Sequence, residues 1–160
     1  MQPLWQDLPV TDTLLRLAAA TLMGAALGVN REIRGKPAGM RTHALVSLGT
    51  ALATLIAIAM ATGPDGIDRS AVSRVIQGVL AGIGFLGAGA ILKADSGEKV
   101  QGLTTAASVW VVAGLGVACG AGLWTLALTA LVLTLLVLIL GEPIERALHR
   151  LLGTDNPNGR

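Results

Sequence analysis

Charge is scarce in this chain. Of 160 residues only 14% are Asp, Glu, Lys or Arg, against about 25% in ordinary soluble domains. A surface with so little charge points to a bilayer as the solvent. Cysteine is scarcer still: the single Cys119 excludes an intrachain disulfide and is read as a buried residue of a membrane turn. The two histidines, His43 and His149, lie far apart and in no zinc or catalytic spacing. No Ser/His/Asp or Cys/His set is present, so no enzyme, cofactor or metal site is expected. Nothing in the composition calls for nucleic acid. The opening MQPLWQDLPVTDT lacks the basic stretch of a signal peptide, and the first apolar segment is expected to be retained.

What the chain has is apolar length. It is 52% apolar with a mean hydropathy of +0.67, concentrated in runs at 14–29, 43–62, 75–92 and 102–141. A membrane helix takes about 20 residues. The last run is twice that, and as one helix it would reach about 60 Å, beyond what tilting accommodates. It is expected to fold back at Gly116–Gly122. The fold class predicted is therefore all-α, a polytopic membrane bundle of five transmembrane helices near 13–30, 43–62, 72–92, 102–118 and 121–141, within one transmembrane domain over 1–152. Gly141-Glu-Pro143 is expected to stop the fifth helix, with a short amphipathic helix over 143–152 and a disordered tail over 153–160.

The placement of charge sets the orientation. Nine of the twelve basic residues, including Arg31, Arg34, Lys36, Arg41, Lys93 and Lys99, flank the same ends of the helices. By the positive-inside bias this side is cytoplasmic, with the amino terminus outside.

The stretch Gln77–Lys93, QGVLAGIGFLGAGAILK, carries Gly78, Gly82, Gly84, Gly87 and Gly89. Small residues let membrane helices approach closely, so these glycines are expected to pack helices together and to make the third helix central. Gly82, Gly84 and Gly87 also spell GxGxxG, but inside an apolar run, without the strand and acidic residue a dinucleotide site needs. Glycine-rich faces further predict a homo-oligomer, a dimer.

Several polar residues are candidates for function. Asp12 is read as the N-cap of the first helix and Arg16 as its i, i+4 partner, either snorkelling at the outer surface or facing a cavity between helices. Glu32 sits where that helix meets the basic loop and is read as pairing with Arg31, Arg41 or a ligand. Gln77 is read as interhelical glue or part of a polar path, and Trp110, off the interfacial belt, as packing inward.

Sliding the chain by 63 residues superposes the first hairpin on the second without a gap, matching Gly24 to Gly87, Gly39 to Gly102 and Thr42 to Thr105. This predicts a parallel repeat of two helical hairpins plus a fifth helix. It would bring two helix N-termini, with Thr42, Thr104 and Thr105, beside Arg31, Arg34, Arg41, Lys93 and Lys99. Free N–H groups and guanidinium forks favour anions, so a phosphate, carboxylate or anionic lipid headgroup is the expected ligand there.

Three blocks carry a resemblance. Asn30-Arg-Glu-x-x-x-Lys-Pro-Ala-Gly-Met-Arg-Thr-His-Ala-Leu-Val, Gly82-Ile-Gly-Phe-Leu-Gly-Ala-Gly-Ala-Ile-Leu and Gly102-Leu-Thr-Thr-Ala-Ala-x-x-Trp110 resemble the signature blocks of the MgtC/SapB family of bacterial inner-membrane proteins. The resemblance covers about Asp12 to Gly141 and carries over Arg31, Glu32, Gly39, Arg41, Thr42, Gly82, Gly84, Gly87, Gly102, Thr104, Thr105 and Trp110 without assigning them a chemistry. It implies a location in the bacterial inner membrane and a link to magnesium limitation and, in pathogens, to survival in host cells. Two departures stand out: Asn30 where the MgtC-like branch more often has Glu, and an end about 20 residues past helix 5, where that branch continues into a soluble domain. The expected function is a non-enzymatic modulator of membrane machinery or ion homeostasis, with other membrane proteins as partners. The alternative is a small transporter or channel for an ion or anionic solute.

Overall fold

The computed structural model describes residues 9–63, 66–91 and 101–152. Five helices dominate it: α1 Val10–Ile33, α2 Met40–Ala61, α3 Arg69–Ile91, α4 Leu103–Gly120 and α5 Trp124–Leu151. Each is long and apolar enough to cross a membrane. A two-residue antiparallel pair, β1 (Thr62–Gly63) with β2 (Gly66–Ile67), closes the connection between α2 and α3.

The interior belongs to α4. In its most apolar stretch 56% of residues are buried, against 6% in α3. The third helix is therefore peripheral, not central, and only its Gly87 is buried. The reason lies in which glycines meet a neighbour. A Cβ at Gly24 would come within 2.5 Å of the His43 carbonyl, and one at Gly28 within 2.5 Å of the Met40 Cα. On α4, Gly116 faces Thr50 and the Ser47 carbonyl, and Gly120 the Ala51 carbonyl at 2.6 Å. The working GxxxG pairs are thus 24/28 and 116/120, both clasping α2. Gly78, Gly82, Gly84 and Gly89 meet nothing within 4 Å among the described residues. Their glycines face open space, so the expected packing role fails within the chain for all but Gly87.

The two hairpins share a register. Gly24 lies on His43, and Gly87, 63 residues on, lies on Ala106, the residue 63 beyond His43, with its Cβ position 3.5 Å from the Ala106 Cβ. Gly28 approaches Gly39; at the matching level Gly102 approaches the Ala90 carbonyl and Ile91. The fit is tighter in the first hairpin.

Buried residues fill the bundle in two clusters. Ala20, Ala51, Ala118, Cys119 and Ala127 form one, and Leu27, Val112 and Leu115 the other. The turn after α4 is a Schellman closure: Leu123 N–H donates to the Ala118 carbonyl at 2.9 Å and Gly122 N–H to the Cys119 carbonyl at 3.0 Å. Gly122 has φ +73° and abuts the Arg16 guanidinium, so a side chain there is excluded twice. The fold-back expected over Gly116–Gly122 is confined to its last residues, because Gly116 and Gly120 are spent on α2.

The fifth helix does not stop at Gly141-Glu-Pro143. It runs unbroken to Leu151 with Pro143 inside, so 143–152 is no separate helix. Proline has no N–H for the carbonyl four residues back, here Ile139. Arg34 Nη2 donates to that carbonyl instead, at 3.4 Å, while its Nη1 lies 3.2 Å from Glu142 Oε2. Lys36 reaches the other Glu142 oxygen at 3.6 Å. The expected tail over 153–160 lies outside the described residues.

Candidate functional site at the basic end of the bundle

Gly28 lets the last turn of α1 press against the start of α2, and this closeness encloses Arg31, which is 3% exposed. Its Nη2 donates to Thr105 Oγ1 at 2.8 Å, in the first turn of α4. Behind it runs a buried chain of polar groups. His43 Nδ1 lies 3.0 Å from the Gly39 carbonyl, and its Nε2 lies 3.1 Å from Ser108 Oγ. Ser108 Oγ is also 2.8 Å from the Thr105 carbonyl. A carbonyl only accepts, so Nδ1 carries a proton, and Ser108 donates its own to the Thr105 carbonyl.

Arg31 has no carboxylate within ion-pair distance among the described residues, and its Nε, shielded from solvent, has no hydrogen-bond partner. A buried ion without a counter-ion is costly, because its lost hydration is not replaced. The acids nearby are engaged: Glu142 with Arg34 and Lys36, and Glu32 with α2. Arg31 faces a cavity of about 910 Å³ at this end of the bundle, lined also by Lys36, Gly102, Thr104, Thr105, Glu142 and Glu145. The α4 N-terminus lines it, with Gly102 as N-cap and no side-chain cap among the described residues. The cavity thus joins a buried cation to the positive end of a helix.

The other candidates are placed as follows. Glu32 pairs with neither Arg31 nor Arg41; its Oε2 accepts from the Met40 N–H at 2.9 Å and so caps α2. The expectation of two open helix N-termini is corrected at α2 by this bond; among the described residues no side chain caps α4. Arg41 and Thr42 are exposed and make none of the contacts of the Arg31 cluster given above. Gln77 is exposed and bonds Ser73 in its own helix at 3.2 Å, so it is not glue between the helices of this chain. Trp110 is 52% exposed and faces outward, because the inward positions of α4 are taken by Thr105, Ser108, Val109, Val112 and Gly116. Lys93 lies outside the described residues.

At the opposite end, Arg16 Nε lies 2.8 Å from Asp12 Oδ2, and Arg16 Nη1 donates to the Gly120 carbonyl at 2.9 Å. Asp12 is not the N-cap; α1 begins at Val10 after Pro9, and Asp12 sits in the first turn. The pair ties α1 to the end of α4. At that same end Asp68 caps α3, accepting from the Ser70 hydroxyl at 2.7 Å and the Ser70 and Ala71 N–H groups at 2.9 and 3.2 Å. These donors, the hydroxyl first, hold its carboxyl below the usual carboxylate range.

His43 and Ser108 were not among the candidates. The legible signal was a stripe: His43, Ser47, Thr50 and Thr54 follow one another at helical spacing, and all four are buried. In lipid a polar stripe turns inward. Thr50 Oγ1 duly donates across to the Ala113 carbonyl at 3.0 Å, as well as to Ser47 in its own helix.

The sequence model of the MgtC family matches residues 17–147. The chain belongs to the MgtC family. It is 46% identical over 140 residues to Protein SrpB of Synechococcus elongatus, covering 82% of this chain and 77% of that one. It is 41% identical over 138 residues to Protein MgtC of Salmonella typhimurium, covering 86% of this chain and 56% of that protein. The putative magnesium transporter YhiD of Escherichia coli is 39% identical over 132 residues, covering 79% of this chain and 59% of that one. The chain therefore spans little more than half the length of the latter two. No solved structure matches it. Within the MgtC match fall Arg31, the buried polar chain and every residue of the cavity wall named above.

Proposed function

We infer that this MgtC family membrane protein is a non-enzymatic modulator of other membrane machinery or of ion homeostasis, in the bacterial inner membrane, with its basic end in the cytoplasm and its activity linked to magnesium limitation. The observation that carries this reading is the filled interior. Between the Arg16 end and the Arg31 end, Ala20, Leu27, Ala51, Val112 and Cys119 have no exposure at all, and Leu115 has 1%. Such packing supports a body that acts through its outer faces. The α3 face supports it too, with open glycines and exposed Gln77 and Phe85. A second copy of the chain is the occupant we assign to that face, since small residues on one helix favour close approach by another.

Transport is the second reading, favoured by the cavity at the basic end and by the name of the Escherichia coli relative. A dehydrated divalent cation asks for several oxygen ligands, and among the described residues no group of three His, Cys, Asp or Glu is placed to hold one.

Flux into liposomes containing the purified chain separates the readings. Modulation predicts no saturable flux of magnesium or of anions above empty liposomes. Saturable flux lost in Arg31→Gln would establish transport. An Ala81→Cys variant tests the partner, because the native Cys119 is buried: a crosslinked homodimer is expected, and monomer alone would remove the second copy from α3.

A further inference from the structure

We propose that the cavity at the basic end is a binding site for a phosphate group, held between Arg31 and the N-terminus of α4. Two independent observations converge there. The α4 N-terminus has a glycine N-cap, no side-chain cap among the described residues, and the hydroxyl of Thr104 beside it. Arg31, 3% exposed, lines the same space with its Nε unpartnered and, among the described residues, no carboxylate within ion-pair distance, the Glu142 of the same wall being held by Arg34 and Lys36. A guanidinium edge, backbone N–H groups and a hydroxyl together offer more donors than the two oxygens of a carboxylate can use. A phosphate, with three or four oxygens, can accept from all of them.

The cavity also has an apolar wall, from Val137 and Leu138 of α5, and Glu145 lines it as well. Glu142 lines it too, but it pairs with Arg34 and Lys36, and neither acid makes an ion pair with Arg31 among the described residues. The same phosphate chemistry is presented by a phospholipid headgroup and by soluble phosphate, and an apolar wall beside the polar end accommodates the start of an acyl chain. Under the orientation given above, the site opens at the cytoplasmic leaflet. The proposal rests on that orientation for its side of the membrane and on neither reading of transport for its existence.

The test uses the full chain in maltoside detergent, which contains no phosphorus. Native mass spectrometry reads retention of phosphatidylglycerol and of a phosphate-free glycolipid, with and without inorganic phosphate. Wild type and Arg41→Ala are expected to retain phosphatidylglycerol over the glycolipid. Arg31→Gln is expected to weaken that retention by on the order of tenfold or more, the scale of one lost charge-assisted bond. Should Arg31→Gln not fold, Thr104→Asp gives the answer, because a carboxylate favoured at a helix N-terminus would take the place of the phosphate and abolish retention. Competition by millimolar inorganic phosphate would identify soluble phosphate as the ligand, and no competition the lipid. Equal retention of phosphatidylglycerol and glycolipid by wild type, with no effect of inorganic phosphate on unfolding temperature, would overturn the proposal. So would undiminished retention by Thr104→Asp. The flux experiment can fail or succeed without altering either result.

Discussion

Arg34 donates to the carbonyl of Ile139, the one acceptor in α5 that Pro143 leaves without its helical partner. A break in the ladder of one helix has become an anchor for the loop after another. The two changes are therefore coupled. Arg34→Ala should cost about 1 kcal/mol with Pro143 present and about half of that in a Pro143→Ala background, where the helix satisfies its own carbonyl. A double-mutant cycle of unfolding in detergent measures this. Strict additivity would show that the Arg34 contact is incidental and that only its pairing with Glu142 counts.

The glycines separate into two groups by what surrounds them. Gly116→Ala and Gly24→Ala force a methyl against the backbone of α2 and should destabilise by about 1–3 kcal/mol, the usual cost of overpacking. Gly78→Ala meets nothing and should stabilise the isolated chain by up to about 1 kcal/mol through helix propensity. Thermal unfolding of the three variants decides the matter. If Gly78→Ala instead loosens a crosslinkable dimer while leaving the monomer intact, α3 is confirmed as the contact surface between copies.

Asp68 gives stability a pH dependence at the end of the bundle opposite Arg31. Its carboxyl titrates below the usual range in the folded protein, chiefly through the Ser70 hydroxyl. A group with a lowered folded pKa stabilises fully above its unfolded value and loses that contribution as pH falls through the folded value. The difference in unfolding temperature between wild type and Asp68→Ala should therefore be constant above about pH 5 and shrink below about pH 4, where the unfolded carboxyl takes up its proton. A difference that grows on acidification would contradict the cap.

Much of this architecture was legible in residue types. Apolar length located five helices, and the offset of 63 residues foretold a contact register that the two hairpins share. Arg31 and Thr105 were named as candidates, and they touch. The misreadings have a common physical source. In lipid, hydropathy does not say which side of a helix faces inward, and α3 carries small residues around much of its circumference. Glycine content therefore suggested a centre, whereas packing follows the glycines that meet a neighbouring backbone: 24, 28, 116 and 120. Trp110 was judged by its depth rather than by the run of Thr105, Ser108, Val109, Val112 and Gly116 that takes the inward side of α4. Glu32 was weighed as a partner for cations, yet Gly39 leaves room for its carboxylate to reach the Met40 N–H, a contact no spacing rule contains.

The most direct test of the account is the side-chain Nε–H signal of Arg31, recorded by nuclear magnetic resonance on the full chain and assigned with Arg31→Lys. A buried guanidinium that awaits an anion predicts a slowly exchanging signal, apart from those of exposed arginines such as Arg41, that moves when phosphatidylglycerol or phosphate is added. A signal that exchanges as fast as that of Arg41 and ignores both additions would contradict it.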